Sequence, residues 1–204
     1  MVIEEIDLYK MRAEDLMNYM PDGDATAYGV KSWEEYAQNL VDKKVKAVDC
    51  KKIKKEMAAA IDAVLAIEIR LPESDPMQEK VPQKLFEYNA PGEDSPIILT
   101  SNSIVTHRIL KLVFEATQVK AYVIPVDTNG YTLDNAVVAG QFTPMNVMKA
   151  INDSGIAAKN ASRRAVISGL AKDLKGNLER MSRWNLELGP ISGFELPLYL
   201  ISVQ

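Results

Sequence analysis

From Pro96 onward, short apolar runs alternate with stretches whose apolar residues fall at helical intervals. Ile97-Ile98-Leu99-Thr100 reads as a buried strand, followed by helical spacing from Ile104 to Glu115. Val119 to Val126 is a second strand, closed by the turn residues Asp127-Thr128-Asn129-Gly130, with a short helix predicted over 133–139. Thr143-Pro144 is a helix start, a capping threonine with proline at the first helical position, and that helix runs to about Asp153 and stops at Gly155. Ala165-Val166-Ile167 is a third strand, 170–181 a helix and Leu186-Glu187-Leu188 a fourth strand. Residues 196–203 close the chain as a short helix or a final strand. The alternation predicts an α/β fold with a small, doubly wound, mainly parallel Rossmann-like sheet.

The first 69 residues have a different texture. Apolar residues recur at helical spacing from Asp7 to Met20, and Pro21-Asp22-Gly23-Asp24 breaks the pattern. Ser32 caps a helix through Leu40, and 53–69 is amphipathic and rich in Ala, Ile and Leu. Residues 70–95 hold prolines 72, 76, 82 and 91 among many acids, the composition of a linker or an extended wrap. The expected division is therefore a helical part over 1–69, a linker over 70–95 and an α/β part over 96–204.

In open α/β sheets ligands bind beyond the carboxyl ends of the strands, where strand order reverses. Here those ends carry Thr100-Ser101-Asn102-Ser103, Asp127 to Gly130, Ser168-Gly169 and Gly189-Pro190. They are the candidate binding loops. Any such fold also needs turns there, so a ligand and plain turn chemistry both remain open.

Composition narrows the chemistry. The 204 residues carry a net charge of −4, which argues against nucleic acid as the main partner. The lysine-rich run over 43–55 reads as a solvated helix face. The N-terminus lacks the pattern of a signal peptide, and Asp62 and Glu68 interrupt the best apolar stretch, so a cytoplasmic protein without a membrane segment is expected. One cysteine, Cys50, and one histidine, His107, exclude an intrachain disulfide, a cysteine-built metal site within one chain and a multi-histidine site. Most groups used for acid–base catalysis near neutral pH are missing.

The strand ends have a specific order: PIILTSNS, then YVIPVDTNGYTLDNAVVAGQFTP, then AVISGLAKDLKGNLE, then LELGP. Together they resemble the C-terminal domain of the large subunit of the corrinoid iron–sulfur protein, the methyl carrier of the acetyl-CoA synthase/carbon monoxide dehydrogenase system. The resemblance covers about residues 96 to 201. It implies that the domain holds cobalamin or a related corrinoid base-off, with the nucleotide tail folded into the domain and the ring resting on its loops. Carried over residue by residue, the cradle consists of Thr100, Ser101, Asn102 and Ser103 after the first strand and Asp127 and Gly130 after the second. The Gly140-Gln141-Phe142 segment follows, then Ser168, Gly169 and Leu170, and finally Gly189 and Pro190. Asp127 binds the ligand or stabilises its own turn, the turn being favoured, and Phe142 packs on the ligand or in the core. His107 is a packing residue or an axial cobalt ligand, packing being favoured. Ser103, His107, Ser168 and Lys172 depart from the family pattern, which usually has Phe, Tyr, Pro and a small residue there.

The same family begins with a four-cysteine iron–sulfur domain. Met20-Pro21, Gly29, Tyr36-Ala37 and Leu40 fall in its frame, which puts the ligand positions at Ala25, Tyr28, Trp33 and Cys50. Cubane clusters use thiolates, so no iron–sulfur cluster is expected, and Tyr28 and Trp33 are expected to fill the space. The reading is a corrinoid-binding methyl carrier or cofactor-handling subunit of one-carbon (Wood–Ljungdahl) metabolism in an anaerobe. It would serve a methyltransferase or a corrinoid reductase partner and would not be a complete enzyme alone. The alternative is a cofactor-free docking or regulatory module for corrinoid enzymes.

Overall fold

The computed structural model describes residues 11–69 and 78–203. The start of the helical pattern at Asp7 and the proline-rich residues 70–77 lie outside the described residues. The helical part contains α1 (Ala13–Met17), α2 (Trp33–Val41) and α3 (Lys55–Leu65), with single 3-10 turns at Thr26–Tyr28 and Ala47–Asp49. The Ser32 hydroxyl accepts from the Glu35 amide at 3.3 Å, the cap read from the sequence.

Five strands form one sheet: β1 (Phe86–Tyr88), β2 (Ile97–Ser101), β3 (Ala121–Val126), β4 (Arg164–Ser168) and β5 (Asn185–Gly189). Their order is β1-β3-β2-β4-β5. Strands β2, β3, β4 and β5 are parallel, with Leu99 facing Ile124 on one side and Ile167 on the other. β1 is an antiparallel edge strand inside the expected linker and pairs Phe86 with Val123. It ends there, so Pro125 sits where β3 has no partner on that side, the position at which a missing N–H is tolerated.

Helices α4 (Ile104–Thr117), α5 (Leu133–Val138), α6 (Pro144–Ser154), α7 (Lys175–Ser182) and α8 (Leu196–Ser202) complete the fold. Thr143 caps α6 by accepting from the Asn146 amide at 3.2 Å, and Gly155 ends the helix in the left-handed conformation. The predicted helix over 170–181 is instead a 3-10 segment, Gly169–Leu174, kinked at Ala171 before α7 begins. The end of the chain is the helix α8.

Side chains alternate between the two faces of the sheet, as strand geometry requires. Ile97, Leu99, Ile124 and Ile167 pack under α5, α6 and α7. Ile98, Val123 and Val166 pack on the opposite side with α4, α8 and the N-terminal helices. One hydrophobic core thus runs from Leu16, Leu40 and Ile61 through Val113 and Phe114 to the sheet. At roughly 25 cal/mol per Å² of apolar surface, covering that face is a major part of the folding free energy.

Candidate ligand site at the carboxyl ends of the strands

Strand order reverses between β2 and β4, and a cavity of about 170 Å³ opens at their carboxyl ends. Its walls come from the sheet (Ile98, Leu99, Val166, Ile167), from the first turns of α4 (Val105, Thr106, Ile109, Leu110) and from Leu196 of α8. The rim is Thr100, Thr132, Ser168, Leu170, Gly189, Pro190 and Ser192. The rim hydroxyls are pre-set. Ser168 Oγ accepts from the Leu170 amide at 3.3 Å, Ser192 Oγ from the Phe194 amide at 3.2 Å, and Thr132 Oγ1 from Asn135 at 3.0 Å. Each keeps its own O–H to donate outward, so the rim is suited to ligand carbonyl or phosphate oxygens. The volume is below the roughly 300–1,000 Å³ of pockets that take whole drug-sized molecules. It suits one flat apolar ring system rather than a macrocycle.

The residues expected at the strand ends fall into two groups. Thr100, Ser168, Leu170, Gly189 and Pro190 line the cavity, with Gly169 between two of them. Gly189 is also pinned by the fold, since a Cβ there would lie 2.6 Å from Val166 Cγ1.

The second group knits the β2 and β3 loops to each other. Asn102 Oδ1 accepts from the Thr128 amide, the Thr128 hydroxyl and the Gly130 amide at 3.0–3.1 Å, while its Nδ2 donates to Asp127. Asp127 accepts from the Asn129 amide and from Lys80. Desolvation pushes its carboxyl up, but these hydrogen bonds together hold it below the ordinary aspartate value. Asp127 is therefore engaged in its own turn. Gln141 accepts from Asn129 at 2.9 Å, and Phe142 is 2% exposed in the core beneath α6. Gly140 has open space around it.

Part of this second group is covered by the chain itself. Residues 78–81 run over the β2 and β3 loops. The Val81 amide donates to Asn102 O, the Ile104 amide donates to Glu79 O, and Lys80 bridges to Ser103. Gly130 has φ +81°, and a Cβ there would lie 1.9 Å from the Gln78 carbonyl oxygen. Its lack of a side chain serves this approach of the protein's own backbone. The composition of 70–95 allowed an extended wrap, but no local signal showed that it would cover the β2 and β3 loops.

His107 does not line the cavity. It is 4% exposed, its ring stacks on Phe86 at 4.4 Å, and Nε2 donates to the Ser101 carbonyl at 3.0 Å. That bond fixes the proton on Nε2. Nδ1 is then an acceptor, and both it and Ser103 Oγ are buried with no hydrogen-bond partner among the described residues. Burial pushes the imidazole down to about 4, partly offset by the bond to Ser101. Ser101 Oγ in turn pairs with Thr106 at 3.1 Å.

In the helical part, the four positions that the resemblance assigned to cluster ligands, Ala25, Tyr28, Trp33 and Cys50, come together. Ala25, Trp33 and Cys50 are buried, and the Tyr28 amide donates to Ala25 O. Tyr36 meets Tyr28 and Trp33 edge to face, and Tyr28 lies tilted on Trp33, all with ring centroids 5.6–5.9 Å apart. Among the described residues no group of three or more His, Cys, Asp or Glu is placed to hold a metal ion, and no helix is long and apolar enough to cross a membrane.

An open, mainly parallel sheet with helices on both faces and a cavity at the reversal of strand order places the chain among the doubly wound α/β proteins. Within them it belongs to the family of the CO dehydrogenase/acetyl-CoA synthase delta subunit, whose pattern matches residues 69–199. It is 30% identical over 128 residues to the acetyl-CoA decarbonylase/synthase complex subunit gamma of Methanopyrus kandleri, covering 62% of this chain and 28% of that protein. It is 32% identical over 117 residues to the subunit gamma of Methanocaldococcus jannaschii, covering 57% of this chain and 24% of that one. It is 30% identical over 111 residues to the corrinoid/iron-sulfur protein large subunit of Moorella thermoacetica, 54% and 25% of the two chains. The chain spans about a quarter of the length of these relatives.

Proposed function

We propose that this protein binds a corrinoid at the carboxyl ends of its strands and serves as a methyl-carrier or cofactor-handling subunit in one-carbon metabolism, in the cytoplasm of an anaerobe. The observation that carries the reading is the cavity at the β2–β4 reversal. Its rim is built from the strand-end residues Thr100, Ser168, Gly189 and Pro190, of which Thr100, Gly189 and Pro190 belong to the motifs that carry the family resemblance, while Ser168 departs from it. The residues fit part of such a cofactor: apolar walls for the base of the nucleotide tail, and outward-donating hydroxyls of Thr132, Ser168 and Ser192 for phosphate and carboxamide oxygens. When bound, the cobalt of the corrinoid would supply the methyl-carrying chemistry. The protein's part is to bind and orient. Thr100 and Ser168 fix the rim, and Ile109, Leu110 and Val166 keep water from the buried end. A methyltransferase or corrinoid reductase would be the protein partner.

His107 is not read as a cobalt ligand, because Nε2 is committed to Ser101 and the ring faces Phe86. The N-terminal part is read as free of an iron–sulfur cluster, because only Cys50 offers a thiolate at the four aligned positions and aromatic rings fill the space between them. A second reading, a cofactor-free docking module, draws on the strap. The β2 and β3 loops are already covered by residues 78–81, so any ligand there meets the protein's own backbone.

Reconstitution separates the two readings. After incubation with hydroxocobalamin and desalting, the protein should retain a corrinoid absorbance spectrum. Leu170→Trp, which fills the rim from a half-buried position, should lose that spectrum without loss of melting cooperativity. Absence of retention by the wild-type protein under reducing conditions would select the docking module. Iron analysis of anaerobically purified protein should find no stoichiometric iron.

A further inference from the structure

The helical part carries a surface that the ligand site does not explain. Residues 43–55 hold seven lysines against one acid, Asp49, a net of +6 in a chain whose total is −4, leaving −10 on the rest. All seven lysines are exposed. Lys43 pairs with Glu68 and Lys44 with Asp42. Lys52 reaches the Asp24 carbonyl and lies over the Trp33 ring. Lys46, Lys51, Lys54 and Lys55 have no ion-pair partner among the described residues.

Their placement runs against local stability. Lys54 is the N-cap of α3 with no side-chain cap bond, and Lys55 is its first helical residue. The amino end of a helix is its positive pole, where cations are unfavourable and Asp or Glu is preferred. Glu56 in the same first turn offsets one of these two charges, and a cluster that still breaks a local rule marks a functional surface.

The platform beneath is rigid. Asp62 accepts from the Ala47 amide at 2.7 Å and the Val48 amide at 3.1 Å, which holds the 3-10 turn in place. Ala47, Cys50 and Ile53 are buried below it. Val48 is left 53% exposed in the middle of the lysines. An apolar centre inside a charged rim is the anatomy of a protein–protein contact.

We infer that the lysines of residues 43–55, arranged around Val48, form a docking surface for an acidic protein partner. A nucleic acid fits the same surface less well. The segment has no arginine and no aromatic residue, Trp33 and Tyr36 beside it are buried, and the −10 on the rest of the chain repels a long phosphate backbone. A membrane surface fits less well too, since one valine gives almost no apolar area to insert.

The test is fluorescence anisotropy with three labelled probes: a glutamate-rich peptide bearing one leucine, an oligothymidylate of equal charge, and vesicles of phosphatidylcholine with phosphatidylserine. The peptide should bind most tightly, with affinity falling as salt rises. K46E/K51E/K54E/K55E should weaken it by at least about tenfold, the scale of lost electrostatic complementarity. Val48→Asp should weaken it severalfold. K54E/K55E should raise the melting temperature while lowering affinity, a pair of opposite effects that a mere loss of fold does not produce. If the fourfold glutamate variant does not fold, the fourfold glutamine variant takes its place. Peptide binding that survives the substitutions, or tighter binding of the oligothymidylate or the vesicles, overturns the proposal.

Discussion

The Tyr19 hydroxyl donates to Glu195 Oε1 at 2.8 Å and ties the end of α1 to the residue that precedes α8. Glu195 is half-buried, and desolvation raises its pKa above the ordinary value even though Tyr19 and Asn18 oppose the shift. Removing the donor leaves a buried carboxylate short of a partner. Tyr19→Phe should therefore destabilise the fold by about 1–3 kcal/mol in urea denaturation at neutral pH.

A carboxyl whose folded pKa is raised contributes stability below its unfolded pKa and loses it as pH rises through the folded value. Glu195→Gln removes that penalty. The variant should match or exceed the wild type in stability at pH near 7, and the difference should shrink below about pH 4, where the wild-type carboxyl is neutral. Denaturation curves at several pH values read it directly. A wild type that gains on the variant as pH rises would contradict the burial argument.

For His107 the sign is opposite. Its folded pKa, about 4, lies below the unfolded value, so the stability it confers is present above pH 6.5 and is lost as pH falls toward 4. The difference corresponds to about 3 kcal/mol. His107→Phe should keep the stack with Phe86 and flatten this acid limb. The ring resonances of His107 in the wild type should not titrate between pH 8 and 5 in NMR spectra.

Gly130 faces the Gln78 carbonyl with φ +81°. Gly130→Ala adds backbone strain of about 1–3 kcal/mol and a collision, so the strap must lift. Trypsin should then cleave after Lys80 faster than in the wild type, as followed by mass spectrometry. Unchanged cleavage would show that the strap is not held by this contact.

Asn102→Ala orphans the Thr128 and Gly130 amides at once, while the Thr128 hydroxyl keeps its bond to the Tyr131 carbonyl. At about 1–3 kcal/mol for each buried unsatisfied group, the loss should be among the largest from any polar substitution in this protein. Thermal unfolding measures it.

The strands were legible because each is a short apolar run closed by turn residues. Thr143-Pro144 and Ser32 announced their helices through cap chemistry that depends only on neighbours. Strand β1 was missed because three residues among prolines carry little signal, although Phe86-Glu87-Tyr88 has the right alternation. The candidate site was half legible. Thr100, Ser168, Gly189 and Pro190 do meet at one cavity, because strand ends in a parallel sheet must. Asn102, Asp127 and Gly130 look the same in sequence, yet they bind each other and the strap. That distinction depends on where residues 78–81 run, a long-range contact that no local pattern encodes.

The shared core over the α4 face has a mechanical consequence. Val113 and Phe114 are fully buried beneath helices drawn from both ends of the chain. A cut near residue 95 would strip that cladding and bare an oily flank, so the α/β half on its own should aggregate. Nor can the helical half swing on a tether, because every degree of rotation would wet the same flank. The continuous core couples the two parts, so a partner that grips the lysine-studded surface should carry the cavity along with it.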